Sequence, residues 1–481
     1  MASVKEKSIM GFIWRFMQNA STQVINFVVS IVIARILMPE DYGLIAMITV
    51  FTNIAMVFIN VGFSSTIVQK KELSELDKNT VFYTGMFTAL LIYAILYFSA
   101  PFVASFYHEE KLCALLRFES LMVVFGGLYS VHQALINRSL EFKKSFMISL
   151  IGATTHGVVG ITLALLGFGP WALAISTVSN FFVCGIVYWS IVKWRPRLMF
   201  SKESAKYIFS FSGKVLGSEL LNSIFNNIRN LIIGRQYSSQ DLAYYNRAHQ
   251  FPTLIMNQVD GATTTVLFSA LSKYQSEWET KGLSALRRAM KTSLFICAPL
   301  LFGLSAVAEP MIALLLTEKW LPCVEYLRLI CMMCLFWPLT AQRHALNSLG
   351  KSGVALKLNM LTKIITIIVL IATYKISVRA MILGSIFVSL VSYIIGAFVY
   401  RKHLLYKISD QLKDILPPIF LSAVMFAIAY SVSFIGLSYL PTMIIQIVVG
   451  AAVYILGSLV FKIDSFFYVL NILKGFLKKK S

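Results

Sequence analysis

The stretch Ile33-Ala34-Arg35-Ile36-Leu37-Met38-Pro39-Glu40-Asp41-Tyr42-Gly43 closes one long apolar segment and opens the next. A related junction follows two hundred residues on: Ile233-Gly234-Arg235-Gln236-Tyr237-Ser238-Ser239-Gln240-Asp241, then Ala243-Tyr244-Tyr245. Ile33, Arg35 and Asp41 match Ile233, Arg235 and Asp241 at a constant offset, and Asn26 matches Asn226 at the same offset. Both junctions end an apolar segment that carries a polar stripe. This pattern implies a polytopic membrane protein built from two similar halves, an organisation that in transporters places the site between the halves.

Working outward, the whole chain is apolar. Of its 481 residues 57% are hydrophobic and only 14% charged, and mean hydropathy is +0.73. A soluble domain carries about 25% charged residues. Apolar runs of near-spanning length recur throughout, each long enough to cross a hydrocarbon core about 30 Å thick. The net charge of +21 resides mainly in the loops between these runs. It reads as orientation signals and contacts to anionic lipid head groups. Nucleic acid is excluded as a partner, since no soluble stretch is long enough to fold as a binding module.

The pattern predicts fourteen spans: 11–34, 43–66, 80–104, 112–135, 145–166 and 171–192, then 209–234, 243–268, 285–308, 321–345, 354–374 and 379–400, and a final pair, 417–437 and 441–461. Residues 1–200 and 201–405 are thus expected as two six-helix bundles, and 406–481 as two further spans with a basic tail. Gly167-Phe168-Gly169-Pro170 reads as a tight reversal. About thirty Lys and Arg fall in alternate loops and at the termini. The opposite loops hold six: Arg35, Lys111, Arg235, Lys319, Lys375 and Arg379. This bias places both termini in the cytoplasm. The first apolar run contains Gln18, Asn19 and Asn26 and lacks a small-residue cleavage site, so it is expected to remain as span 1. Cys331-Met332-Met333-Cys334 has redox-like spacing but lies in an apolar helix, where packing explains it better.

Catalytic constellations are missing. The six histidines are scattered without metal-ligand spacing, and no phosphate-binding glycine loop is present. The expectation is therefore a non-enzymatic protein without cofactor or metal. Polar residues inside spans carry more information, because hydrocarbon makes them costly. On span 1, Arg15, Asn19, Thr22 and Asn26 fall within about 60° on one helix face. On span 7, Lys214, Ser218, Asn222, Asn226 and Arg229 fall within about 120°. The two stripes are expected to line a shared, wet, cationic cavity, with Arg247 of span 8 added. The plainer alternative is that the amides and hydroxyls link helices while Arg15 and Lys214 reach the interface. Acids within spans are few, and Glu119, Glu219 and Asp260 are the candidates for ion coupling. Glu325 and Arg328, three residues apart, are spaced to pair with each other.

Ala34 to Gly43 resembles the first-loop signature of the polysaccharide transporter family, the Wzx-type flippases of the MOP exporter superfamily. Asn230-Leu231-Ile232-Ile233-Gly234-Arg235, Tyr244-Tyr245-Asn246-Arg247-Ala248, Val266-Leu267-Phe268-Ser269-Ala270-Leu271-Ser272 and Glu318-Lys319-Trp320 extend the likeness over nearly the whole chain. Two positions depart from the pattern: Ser269 stands where Pro is expected, and Arg229 where relatives often have Asp. No cation-coupling role therefore carries over to position 229. The resemblance implies an all-α, V-shaped molecule of two parallel six-helix bundles in a bacterial cytoplasmic membrane. It also implies a substrate, an oligosaccharide on a polyprenyl diphosphate, and other polysaccharide assembly proteins as partners. Two further readings share some of these features. A small-molecule or drug exporter of the same superfamily is disfavoured by the basic stripes. A membrane glycan polymerase or ligase is disfavoured by the short outer loops.

Overall fold

In a computed structural model the described residues, 4–60, 64–70, 72–274 and 277–478, are mainly α-helical, and none of them is in a strand. The helices are α1 (Val4–Ile36), α2 (Pro39–Asn60), α3 (Ser64–Gln69), α4 (Glu75–Tyr107), α5 (Lys111–Glu119), α6 (Leu121–Ser139), α7 (Phe142–Leu165), α8 (Pro170–Ile191), α9 (Lys202–Gln236) and α10 (Ser239–Lys273). They continue as α11 (Leu283–Ala306), α12 (Ala308–Leu316), α13 (Cys323–Cys334), α14 (Ala341–Ser348), α15 (Ser352–Thr373), α16 (Val378–Leu404), α17 (Ile408–Ser431), α18 (Tyr439–Val460) and α19 (Asp464–Lys478).

Twelve helical segments among the described residues are long and apolar enough to cross a membrane, so this is a multi-pass membrane protein. The other two expected spans correspond to α9 and α10. Each has 35 residues, about 50 Å of helix, more than a bilayer core requires. They miss the apolar criterion because they carry the polar residues singled out above. A helix of spanning length with such a face must be screened from lipid by protein or water.

The chain divides into two compact units, Met1–Ala243 and Tyr244–Ser481. In the first, α7 lies between α1 and α8. A Cβ at Gly157 would stand 2.6 Å from Val29, and one at Gly160 2.8 Å from Ile33. Small residues are what allow membrane helices to approach this closely. The α7–α8 reversal falls where expected: Gly167 and Gly169 both have positive φ, and Pro170 opens α8. At the start of α4, Ser74 and Asp77 form a capping box. Asp77 also takes an ion pair from Lys70 at 2.7 Å and a hydrogen bond from the Ser204 hydroxyl at 2.7 Å. This buried carboxylate therefore ties the beginnings of α4 and α9 together.

In the second unit α11 packs along α17. The Asp414 carboxylate accepts from Arg287 Nε at 2.7 Å, Lys291 Nζ at 3.0 Å and the Tyr406 hydroxyl at 2.6 Å. Tyr454 of α18 donates to the Phe295 carbonyl at 2.8 Å. The final helix pair is thus fastened to α11 by buried polar bonds as well as apolar packing.

Several expectations need correction. Span 4 is interrupted at Ser120, whose hydroxyl bonds the Arg117 carbonyl and competes with the helical ladder. Span 10 breaks between α13 and α14 around Pro338, which has no N–H to give. Span 13 was expected to begin at Pro417, yet α17 starts at Ile408 and runs through Pro417 and Pro418. Two consecutive prolines are accommodated without ending the helix, and Ser422 Oγ bonds back to the Pro418 carbonyl at 2.7 Å. Glu325 and Arg328 do not pair with each other. Glu325 meets Arg379 at 3.0 Å, and Arg328 meets Glu309 at 3.7 Å and lies over the Tyr430 ring. The tail expected only as basic forms α19, with Phe466 against Phe295 and Arg288 over Tyr468. Cys331 and Cys334 are buried free thiols.

Candidate substrate-binding face

The two junctions singled out at the start share two bonds at equivalent positions. Leu37 N–H donates to the Ile33 carbonyl at 2.9 Å, and Tyr237 N–H to the Ile233 carbonyl at 2.9 Å. Asp41 accepts from the Met38 N–H at 3.1 Å, and Asp241 from the Ser238 N–H at 3.3 Å. In both, an aspartate near the start of a helix turns back to satisfy an orphan donor. The repeat is therefore local structure as well as sequence.

Within the first unit the junctions also touch. Gln240 Nε2 donates to Glu40 Oε1. Gly43 lies directly on the backbone of Ser239, so that a Cβ there would fall 1.9 Å from the Ser239 carbonyl oxygen. Gly234 sits similarly against Tyr107 and Met47, and Arg235 stands over the Phe106 ring at 5.4 Å. The opposite end of α9 is held by the Ser204–Asp77 bond and by Ser212 against Thr66 at 3.0 Å. Helix α9 is thus pinned at both ends and lies along α2 and α4.

Between those pins lies the polar stretch of α9. Ser218, Glu219 and Asn226 are exposed, and Asn222 and Arg229 half-buried. No carboxylate pairs with Arg229 among the described residues, and its buried Nε has no hydrogen-bond acceptor. An arginine normally satisfies its donors; here one is left pointing where no protein acceptor reaches it. On α1, Arg15, Asn19 and Asn26 are exposed, Arg15 donating to Gln18 at 3.3 Å and standing over Phe142. Helix α1 packs on α7 rather than along α9. The exposed members of the two stripes, Arg15, Asn19 and Asn26 on α1 and Ser218 and Asn226 on α9, thus sit on helices whose main packing partners differ.

The remaining candidates divide. Arg247 is buried at 5% exposure, donates to Gln250 at 2.7 Å and lies 5.1 Å from the Trp320 ring. In this structure it is packed among protein groups rather than on an open face. The same contact joins two stretches of the sequence signature, since Tyr244 also donates to the Lys319 carbonyl and packs edge-on to Trp320. Glu119 is buried at 3% exposure, and its Oε2 has no partner. The Lys214 and Asp260 side chains, and with them Ser269, lie outside the described residues. Sequence reasoning missed Asp77, Glu40 and Gln240. The signals were present, as a Ser-x-x-Asp cap in one case and as another pair at the 200-residue offset in the other.

Comparison with known proteins gives the family and the fold. The family model for polysaccharide biosynthesis proteins matches residues 32–325. The chain is 24% identical over 442 residues to the teichuronic acid biosynthesis protein TuaB of Bacillus subtilis (strain 168), covering 90% of each chain. It is 28% identical over 314 residues to the succinoglycan biosynthesis transport protein ExoT of Rhizobium meliloti (strain 1021), covering 64% of this chain and 62% of ExoT. A solved structure of the lipid II flippase MurJ, in an inward closed conformation, superposes with a TM-score of 0.74 at 17% identity, over 95% of this chain and 99% of MurJ. The fold is therefore that of MurJ, and the chain belongs to the polysaccharide biosynthesis protein family.

Proposed function

We propose that this protein is a flippase that moves a polyprenyl-diphosphate-linked oligosaccharide across the bacterial cytoplasmic membrane by alternating access, supplying a surface polysaccharide. The observation that carries the reading is Arg229: a half-buried guanidinium on a pinned helix, with a buried donor and no protein acceptor. A diphosphate offers oxygens that match such donors in pairs, and its charge cannot cross hydrocarbon unaccompanied. Arg15, Asn19, Asn26, Asn222, Asn226 and Lys214 would serve the same head group and its first sugars. The lipid tail would stay in the bilayer.

In this reading residues 1–200 and 201–405 are the two halves, 406–481 the added pair and tail, and both termini are cytoplasmic. Anionic lipids and other assembly proteins are its partners. The test is to deplete the protein and follow the lipid-linked intermediate. It should accumulate facing the cytoplasm. Accumulation on the outer leaflet would instead assign the protein to polymerisation or ligation, and no accumulation would reject a role in this route.

Glu119 is the ion-coupling member of the proposal, as a buried acid with an unpartnered oxygen beside the Ser120 interruption. Glu119→Gln keeps the shape and removes the ionisable proton. If the residue cycles between protonation states, transport in vesicles should fall and lose its response to an imposed pH gradient. Wild-type transport and gradient response in the variant would leave Glu119 a packing residue.

A further inference from the structure

The second unit contains a cavity of about 980 Å³ that none of the foregoing uses. It exists because span 10 is broken. Leu335, Phe336 and Leu339 make only three-residue backbone bonds around Pro338, and the chain restarts as the short α14. The offset opens a space walled by α13, α14, α15 and α16. Discontinuous membrane helices recur where transporters hold polar ligands, because the break frees both room and backbone polarity.

The lining has a definite chemistry. Arg343, His344 and Asn347 project from α14, Asn359 from α15 and Ser392 from α16, and no Asp or Glu is among the lining residues. No hydrogen bond or ion pair engages the side chains of Arg343, His344, Asn347 or Asn359 among the described residues. The Ser392 hydroxyl is buried without a partner. Tyr393, by contrast, is already committed to Gln411 at 3.1 Å. One cation, one imidazole and several free neutral donors, with no carboxylate to repel an anion, form a site for a phosphate group.

The walls specify more. Phe336, Trp337, Leu361 and Ile365 make much of the lining apolar. Leu361 is itself exposed and begins a row with Ile364, Ile368 and Ile371, which are 54%, 60% and 64% exposed. These residues lie three or four apart on α15, hence along one face. A hydrocarbon chain leaving the cavity past Leu361 has a continuous apolar track.

We propose that this cavity binds the phosphate head of an anionic membrane lipid, with Arg343 as its charge partner and one chain lying along Leu361–Ile371. The inference concerns the second unit alone and does not rest on the flippase reading. Its readout is lipid retention, not transport.

The test uses the full-length protein in nanodiscs of phosphatidylcholine with or without phosphatidylglycerol, and native mass spectrometry after partial delipidation. Wild-type protein should retain phosphatidylglycerol preferentially. Arg343→Ala should reduce that retention by roughly tenfold to a hundredfold, the weight of a hydrogen bond to a charged group, and leave phosphatidylcholine unaffected. Arg343→Lys should restore part of it. Ser392→Phe, which narrows the cavity beside Asn359 and Tyr393 without touching the charge, should also lower it. Should these variants fold poorly, phosphatidylglycerol with brominated chains provides a second measurement. It should quench a fluorescence component of otherwise unaltered protein that Trp337→Phe removes. Inorganic phosphate is the separate arm. If it competes with nothing and the lipid is lost with Arg343, the lipid assignment stands. If phosphate alone binds, and lipid retention is indifferent to Arg343, the ligand is a soluble anion and the lipid assignment fails. Retention and quenching that ignore both Arg343 and Trp337 overturn the site itself.

Discussion

Arg229→Ala should reduce polymer export at least tenfold while the protein still reaches the membrane in normal amount. The estimate follows from the chemistry of the lost contact. A hydrogen bond to a charged group contributes about 1.5–3 kcal/mol, which is roughly ten- to a hundredfold. In wild type no protein acceptor reaches the buried Nε, and the half-buried guanidinium has no carboxylate partner among the described residues, so an incoming anion would meet its exposed donors. Truncation should therefore stabilise the resting protein slightly, by removing a desolvated donor, while weakening the substrate complex. Opposite signs for stability and transport distinguish a binding residue from a structural one. Arg229→Lys should recover part of the loss, since an ammonium keeps the charge but not the planar fork. The measurements are export per molecule of membrane protein and the thermal midpoint of purified protein. Native export with normal abundance would remove Arg229 from the site. A large fall in the midpoint would make it a structural residue.

Much of the fold was legible because it is periodic and apolar. The Gly167–Pro170 reversal and the ends of α7, α8, α15 and α18 fall within a few residues of the expected spans, since each is set by a strong local signal. Interruptions were harder to read. Ser120 and Pro338 break their helices while Pro417 and Pro418 do not, so residue type alone does not decide where a helix stops. The candidate site was legible as stripes, because 3.6-residue spacing is visible in a sequence, but side-chain fate was not. Arg229 and Arg247 look alike on paper. One keeps a donor unmatched and the other is buried against Trp320, and that difference depends on a tertiary contact with a residue more than seventy positions away. Glu325 shows the same limit: an i,i+3 partner was available, but Arg379 arrives from another helix with better geometry. Helix α19 was missed for a simpler reason, since charge at the chain end hid its alternation of Phe466, Phe467, Leu470 and Leu473 with polar positions.

The largest steric effect is expected at Gly43. An added Cβ would fall 1.9 Å from the Ser239 carbonyl oxygen, 2.4 Å from its carbon and 2.8 Å from its Cα. All three are backbone atoms at the start of α10, so no rotamer change relieves the clash. Gly43→Val must therefore separate the two junctions, at about 1–3 kcal/mol for overpacking or more, and with them the Gln240–Glu40 bond. These are the equivalent junctions of the repeat, and the prediction is that holding them together is a step of transport. A variant that cannot make it should be folded but stalled. Cysteines at Glu40 and Gln240, in a background free of native cysteines, report the contact directly. They should cross-link readily when position 43 is glycine and several-fold less with valine, while export falls in parallel. The Leu37 and Tyr237 backbone bonds should be unaffected, since each is internal to its own junction. Gly43→Ala is the graded case, with the same Cβ but no branch, and should lie between the two in both measurements. Equal cross-linking and equal export in all three proteins would mean that the junctions need not meet, and that Gly43 is tolerated there rather than required.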